Sequence, residues 1–460
     1  MHVLDGVSTT LFDGPASVAD ALGWAGMSPT AGLPAHVGRA LSDAVMGGTR
    51  PDRPAESLAS QVLEWDREVV QRAKVTGEPV CRRARWPGAA PYAVFLSHDV
   101  DQIHDRELFR WLGDVNHLRR MLLNGEHGDT VACLKRIARP ILRPIDPMQQ
   151  FETMREIERA HGWHSTFFLL EDRYWARKGG RFRWDDPAFQ RISAFLIHEG
   201  CELGIHGSAY LHDDPTWWKE SQERFAGLYG RSAQGARNHY LTLRVPATWL
   251  SQRRAGITYD STFGYADKLG APAGFCFPFA LVDQHDGDQQ VPLIELPVTI
   301  MDQTVFRYAA LRGEDALAAC VGAVETVRQL GGLVTLLWHN NFFAEEEYVE
   351  WQDVYVRLLE AMGPDRPWVA CGRDIARWWM ARRQLRLIAQ VTLDDSHRWH
   401  VEAGADTEGA AIEVVGADDD APIECDVEHR IERRGSGTAV VHLPRLDAGT
   451  RATLRVGCRR

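Results

Sequence analysis

The sequence lacks several features that define common classes of protein. It has no run of about 18 consecutive apolar residues, so we predict no membrane-spanning helix. Its first residues do not place a basic region before an apolar one, which is the pattern of a secretory signal, and we therefore expect a cytoplasmic location. The formal net charge of −11 argues against nucleic acid as a partner.

Cysteine usage and length add two further limits. The eight cysteines are scattered between Cys81 and Cys458 without paired spacing, which favours reduced thiols over a disulfide framework or a zinc knuckle. A chain of 460 residues is too long for one ordinary domain, and its 45% hydrophobic content supplies a large core. We therefore expect a globular protein of two or three domains.

Three segments of the chain differ in their patterning. Residues 1–90 are predicted to be a mostly helical N-terminal segment. Residues 91–384 alternate short apolar runs with amphipathic helices, which predicts an α/β fold with parallel strands that close into a distorted (β/α) barrel. Residues 385–460 show strand patterns separated by turns rich in glycine and aspartate, which predicts a small β-sandwich.

The predicted barrel contains nine candidate strands and one long insertion. The insertion spans residues 101–147, directly after the first strand, and we expect it to shape a cleft at the carboxyl ends of the strands. The strands are predicted at Tyr92–Ser97, Ser165–Leu170, Glu202–Ile205, Gly235–Arg237, Ile257–Tyr259, Gly274–Phe277, Leu293–Val298, Leu333–Trp338 and Trp368–Cys371.

The most informative motif is the tetrapeptide His-Asp-Val-Asp at positions 98–101, which ends the first strand. Alternate residues of a strand point the same way, so Asp99 and Asp101 are expected to face one site. Two carboxylates there indicate metal binding or acid–base chemistry, in which one holds a cation and the other takes a proton from water. A capped turn, where aspartate is common, is the alternative interpretation.

Polar residues also follow other predicted strands. A lone histidine after a strand is more often a hydrogen-bonded structural residue than a metal ligand. Several such residues on one face of a barrel indicate a functional site, because that geometry brings them together. The additional candidates are His206, Arg237, His239, Tyr240, Asp260 and His339.

In this order the motifs resemble the polysaccharide deacetylases of the NodB-homology type, carbohydrate esterase family four, over about residues 92–383. One branch of that family writes its first motif as His-Asp-x-Asp. The resemblance implies that Asp99 is the catalytic base and that His339, after an apolar strand, is the general acid. It also implies that Asp101 and His206 bind the metal.

The third metal ligand departs from the family pattern. Relatives usually place a second histidine four residues after the first, where this chain has Tyr210. His212 lies six residues after His206, which is about 240° of rotation on a helix and therefore a different face. His239 follows a neighbouring strand end, so we favour it over His212. A second departure is Pro272, where relatives in this branch tend to carry an arginine.

The resemblance implies a metal-dependent hydrolase that removes N-acetyl groups from an amino sugar or a polysaccharide precursor. The expected cofactor is a divalent metal, Zn²⁺ in the simplest case, held by Asp101, His206 and His239. We expect Arg237 and Tyr240 to contact or orient the reacting groups, and Asp260 to orient a catalytic histidine. Two alternatives stay open: a catalytically impaired glycan-binding or scaffold protein on the same fold, and a small-molecule amide hydrolase.

Overall fold

The computed structural model describes residues 56–103, 108–124, 150–170, 182–281, 293–343, 348–393 and 396–457, with five isolated positions between 130 and 138. Residues 1–55 of the predicted helical segment, and much of the predicted insertion, lie outside the described residues. The described helices are α1 (Glu56–Thr76), α2 (Leu108–Asn124), α3 (Phe151–Arg159), α4 (Pro187–His198), α5 (Pro215–Tyr229), α6 (Ala247–Arg254), α7 (Gly313–Leu330), α8 (Val349–Met362) and α9 (Gly372–Arg383).

The described strands fall into a central sheet and two C-terminal sheets. The first eleven are β1 (Val80–Arg83), β2 (Ala93–Val100), β3 (Thr166–Leu170), β4 (Glu202–Gly207), β5 (Gly235–Asn238), β6 (Tyr259–Asp260), β7 (Phe279–Leu281), β8 (Leu293–Glu295), β9 (Ile300–Met301), β10 (Leu333–Leu337) and β11 (Trp368–Val369). The last seven are β12 (Leu385–Leu393), β13 (Ser396–Ala403), β14 (Thr407–Val415), β15 (Ile423–Cys425), β16 (Arg430–Gly435), β17 (Thr438–Leu446) and β18 (Arg451–Gly457).

The central sheet confirms the predicted α/β fold. Its strand order is β7-β8-β6-β5-β4-β3-β2-β10-β9, and every neighbouring pair is parallel except β7 with β8. Helices lie between most of the successive parallel strands along the chain, as crossover connections require. All eight residues of β2 are buried, as expected for a central parallel strand whose two faces are both covered.

The pairing of strand β2 departs from that of a regular barrel. Ala93 and Val94 pair with β11, whereas Ser97 to Val100 pair with β3 along the same strand. The opposite edge pairs with β10 over residues 93–97. Two strands therefore share one side of β2 in succession, which breaks the regular repeat of a barrel.

One predicted strand is wrong. Residues 274–277 form no strand; Gly274 ends a short 3₁₀ turn over Pro272–Gly274, and β7 begins only at Phe279. Strand β7 is also antiparallel to β8, so it belongs to an edge hairpin rather than to a parallel crossover unit. The apolar run Phe275–Phe277 is buried without forming a strand, and a periodicity argument cannot separate such a run from a buried strand.

The C-terminal segment is a sandwich of two four-stranded sheets, ordered β1-β14-β17-β16 and β12-β13-β18-β15. Alternating side chains from both sheets fill the space between them, as Ile412 and Val441 do from one sheet and Trp399 and Leu454 from the other. Strand β1 comes from the region before the barrel and pairs antiparallel with β14. The sandwich is therefore completed by residues 80–83.

The described residues contain no helix that combines the length and the apolar character needed to cross a membrane.

Candidate active site

The carboxyl ends of neighbouring strands bring the predicted site residues together. The order β5-β4-β3-β2-β10 places these strand ends side by side. Asp99 lies in β2, and Asp101 follows that strand directly. His206 lies in β4, while His239 and His339 follow β5 and β10 within two residues. Parallel strands present their carboxyl ends at one edge of a sheet, so these five side chains converge.

Asp101, His206 and His239 form a compact cluster. One ligand atom of each residue lies within 4.8 Å of the other two. Nε2 of His206 is 3.3 Å from Oδ1 of Asp101, and Nε2 of His239 is 3.5 Å from Oδ2 of the same carboxylate. Two imidazoles and one carboxylate form a donor set that suits zinc and related transition metals and leaves positions open for water and substrate.

The hydrogen bonds of His206 leave one ring nitrogen without a proton facing Asp101. Nδ1 of His206 lies 2.9 Å from the backbone oxygen of Arg237, so this nitrogen is the donor. In the neutral ring Nε2 then carries a lone pair, and neither it nor Oδ1 of Asp101 has a hydrogen-bond partner among the described residues. Two buried lone pairs that face each other are unfavourable unless a cation binds both. The cluster therefore fits a divalent metal ion.

The structure separates the two candidates for the third ligand. His239 contacts Asp101, and its ring centroid lies 5.2 Å from that of His206. Nδ1 of His212 instead lies 2.8 Å from Oγ1 of Thr248, and His212 is absent from the cluster of possible ligands among the described residues. His239, and not His212, therefore belongs to the cluster of possible ligands among the described residues.

Asp99 is buried and held by a guanidinium. Nη1 of Arg237 donates to Oδ1 of Asp99 at 3.0 Å, and the rest of this guanidinium donates to Ser261 through Nε and Nη2. Burial alone would raise the pKa of Asp99, but the positive charges around it, among them those of Arg237 and His339, lower it below its ordinary value. Asp99 is therefore an ionised carboxylate beside the metal-binding cluster, and Arg237 orients it from a fully buried position.

His339 is held by a carboxylate that the sequence analysis did not single out. Nδ1 of His339 donates to Asp302 at 2.9 Å, and the His339 backbone N–H donates to the same carboxylate at 2.6 Å. Burial lowers the pKa of His339, but the negative charge of Asp302 and its hydrogen bond outweigh burial and raise the pKa to about 9. Nε2 of His339 lies 3.9 Å from Asp101. A protonated imidazole thus faces the site.

Asp260 lies in a different cluster from the one predicted. Its carboxylate accepts hydrogen bonds from Trp249, Gln252 and Thr262, and it is paired with the buried carboxyl of Glu295. Burial raises the pKa of both carboxyl groups, so the pair retains a proton more readily than an exposed pair. The structure does not bring Asp260 against His206, His239 or His339; Asp302 makes that type of contact instead.

A cleft of about 530 Å³ opens beside these residues. Tyr240 lines it with 57% of its surface exposed, and its ring stacks on His239 at a centroid distance of 4.0 Å. Tyr210 and Pro272, the two departures from the family pattern, are not among the described residues that line the cleft. The guanidinium that contacts Asp99 is supplied by Arg237.

A buried network lies directly behind the site. His98 donates from Nδ1 to the backbone oxygen of Trp338 at 2.8 Å and from Nε2 to Glu158 at 2.7 Å. Arg155 donates to the same carboxylate, and so does Ser165 at 2.7 Å. His98 precedes Asp99 and Trp338 precedes His339, so this network fixes the spacing of the two strand ends that carry the candidate base and acid.

Replacing Glu158 with glutamine should destabilise the fold by about 3–5 kcal/mol, because Arg155 and His98 lose a buried counter-charge. Burial opposes ionisation, yet the charges of His98 and Arg155 and the Ser165 hydrogen bond lower the pKa of Glu158. A lowered folded-state pKa stabilises the fold above the unfolded-state pKa, and this stabilisation is lost as pH falls through the folded value. Urea unfolding from pH 7 down to pH 3 should therefore show a flatter pH dependence for Glu158→Gln.

The matched control is Glu156→Gln, because Glu156 is exposed on the same helix. Its unfolding free energy should stay within about 0.5 kcal/mol of the parent. Equal stability of the two variants at pH 7 would contradict the role given to the buried network.

The comparisons with known proteins give structural likeness only. No family model and no curated protein matches the chain. A solved structure assigned as a polysaccharide deacetylase from Mycobacterium smegmatis is 18% identical, covers 67% of this chain and 96% of its own, and has a TM-score of 0.43. Puue allantoinase is 14% identical with coverages of 65% and 93% and a TM-score of 0.43.

A third solved structure, from Pseudomonas aeruginosa PAO1 and also assigned as a polysaccharide deacetylase, is 14% identical with coverages of 65% and 93% and a TM-score of 0.42. At such identities and TM-scores, any assignment of function depends on the residues of the site itself.

Proposed function

We propose that the protein is a metal-dependent hydrolase that removes the N-acetyl group from an amino sugar. The observation that supports this most directly is the facing pair of unpartnered lone pairs on Asp101 and His206, with His239 completing a three-ligand cluster. An ionised carboxylate and a protonated imidazole lie beside that cluster, which is the pairing that hydrolysis of an amide needs.

Asp101, His206 and His239 would hold the metal, and a divalent ion bound there supplies a Lewis acid for the acyl oxygen and for water. Asp99 takes a proton from the attacking water, whose oxygen forms the new bond to the acyl carbon. His339 donates its proton to the nitrogen of the leaving amine as the C–N bond breaks. The products are acetate and the free amino sugar.

Two residues position these groups. Arg237 keeps one oxygen of Asp99 occupied, so the carboxylate presents its other oxygen, Oδ2, on the side of the metal ligands. Asp302 occupies Nδ1 of His339 and leaves Nε2 to carry the transferable proton. Tyr240 forms a wall of the cleft, where the sugar ring can pack.

Metal content and acetate release test the proposal together. The purified protein, dialysed and reloaded with Zn²⁺, should bind one metal ion per chain and release acetate from N-acetylglucosamine oligomers. His239→Ala should lose at least about 10- to 100-fold in metal affinity, because a ligand is removed. His212→Ala is the matched control and should bind metal and release acetate like the parent.

Three outcomes would count against the proposal. If His212→Ala lost the metal and His239→Ala kept it, the assigned ligand set would be wrong. If Asp101→Ala left metal content and activity unchanged, there would be no metal centre at this cluster. Tight metal binding without acetate release from any N-acetylated sugar would favour the alternative of a glycan-binding protein that has lost catalysis.

A further inference from the structure

Three residues of the cleft take no part in the chemical steps of the proposed reaction, and only one of them has been given a role in binding the sugar. They are Tyr240, Arg307 and Tyr308, and all three are exposed to solvent while they line the same cleft as Asp101 and His339. In the proposed reaction, Asp99, Asp101, His239 and His339 act at the acetyl group. The exposed set is thus available to contact other parts of the ligand.

Arg307 is a cation with no carboxylate partner among the residues that the structure describes. It lies in a π-helical turn over Thr304–Tyr308, directly after the segment that carries Asp302. Its guanidinium carbon is 5.6 Å from the centroid of the Phe342 ring, and it forms no ion pair with any described residue. Some surface arginines elsewhere in the described chain are paired, as Arg328 is with Glu325 at 2.7 Å.

The position of this cation contrasts with the charge of the whole chain. The chain has a formal net charge of −11, yet the charged residues that line the cleft include an arginine that forms no ion pair with an acidic side chain in the described part of the chain. A guanidinium held over an aromatic ring keeps its planar donors free to bind a carboxylate or a phosphate in bidentate fashion. Rare π-helical turns are frequent at functional sites, which agrees with this use of the segment.

The two tyrosines supply flat apolar surface next to that charge. Tyr240 is 57% exposed and Tyr308 is 60% exposed, although large apolar rings are usually covered. The backbone φ of Tyr240 is +59°, a left-handed conformation that is unfavourable for any residue with a side chain. The fold retains this local strain while the Tyr240 ring stacks on His239 and faces the cleft.

We infer that the substrate is an N-acetylated amino sugar that carries an anionic substituent, which Arg307 binds while the sugar ring packs on Tyr240 and Tyr308. This inference rests on the proposed function, since it names the substrate class of the same cleft. Carboxylate and phosphate share the chemistry that Arg307 recognises. The experiment below distinguishes them.

The test compares three sugars on the metal-loaded protein: N-acetylglucosamine, N-acetylmuramic acid and N-acetylglucosamine 6-phosphate. The first is neutral, the second adds a carboxylate and the third adds a phosphate. Affinity is measured by calorimetry and acetate release is measured separately. At least one anionic sugar should exceed the neutral one by about 10- to 100-fold in affinity and in kcat/KM, as expected for one charge-assisted bidentate contact.

Arg307→Gln should remove most of that advantage by raising KM for the anionic sugar. Its kcat for that sugar, and both kcat and KM for the neutral sugar, should stay nearly unchanged. Arg307→Lys should retain part of the advantage, because the charge remains while the bidentate geometry is lost. Arg328→Gln is the matched control, since it removes a surface arginine outside the cleft, and it should behave like the parent. Tyr308→Ala should raise KM for neutral and anionic sugars alike.

The outcomes separate this inference from the proposed function. Equal affinity for the three sugars, no binding of either anionic sugar, or an equal effect of Arg307→Gln on all three would overturn the inference, whether or not acetate is released. Preferential, Arg307-dependent binding of an anionic sugar without acetate release would support the substrate class and overturn the proposed reaction. The sugar that binds more tightly identifies the substituent as carboxylate or phosphate.

Discussion

Replacing Asp99 with asparagine is expected to lower kcat for acetate release by about 10²- to 10⁴-fold, the contribution usual for a general base. Asparagine has nearly the same shape as aspartate and can still accept a hydrogen bond from Arg237, but it cannot take a proton from water. Because Asp101, His206 and His239 remain in place, the metal content should not change. The measurement is kcat together with the metal bound per chain.

The control for this prediction is Asp185→Asn, which changes an exposed aspartate whose described partner is Arg183. It should leave kcat and metal content unaltered. The Asp99 variant also leaves the buried guanidinium of Arg237 without its counter-charge, so urea unfolding must be measured in parallel. A folded, metal-loaded Asp99→Asn protein with parental kcat would show that Asp99 only neutralises Arg237 and is not the base.

Much of this site could be predicted from local sequence, because in this type of fold the site residues lie at the carboxyl ends of buried parallel strands. A buried parallel strand appears as an apolar run, and its carboxyl end is marked by the first polar residues after the run. Asp99, Asp101, His206 and His339 all occupy such positions, and neighbouring strands place them together. The sequence pattern is therefore enough to mark these residues as candidates.

Asp302 was missed because its strand is too short to have a pattern. Strand β9 has two residues, Ile300 and Met301, and two residues show neither alternation nor a sustained apolar run. Asp302 reaches His339 only because β9 pairs with β10, a contact between positions 37 residues apart. Non-local pairing of this kind follows from the assembled sheet and not from the residues beside Asp302.

The contribution of β1 to the sandwich was missed for a similar reason. Val80–Arg83 is a four-residue strand that follows a long helix, and it pairs with β14 more than 300 residues later. Cys81 fills the sandwich core, while Arg82 pairs with Asp66 of α1 and with Glu413 of β14. Nothing local to these four residues indicates which of the later strands they join.

Replacing Asp302 with asparagine is expected to move the alkaline limit of activity toward lower pH by about 1–3 units, the effect of removing one close opposite charge. In the parent, the raised pKa of about 9 keeps His339 protonated below that pH, so its capacity to donate a proton is lost as pH rises through about 9. Burial lowers the pKa of His339 once the carboxylate is neutral. At pH 8 kcat should therefore fall by about twofold if the pKa shifts by one unit, and by about 10- to 100-fold if it shifts by two to three units.

The pH profile distinguishes this role of Asp302 from simple packing. Replacing a residue that only fills space would change kcat equally at pH 6 and pH 8. Loss of the negative charge that keeps His339 protonated should instead lower kcat far more at pH 8 than at pH 6. His339→Gln supplies the reference, because it removes the titrating group and should leave low activity without that alkaline limb. If Asp302→Asn kept the limb near pH 9, the protonation of His339 would not depend on Asp302, and another acid would have to protonate the leaving amine.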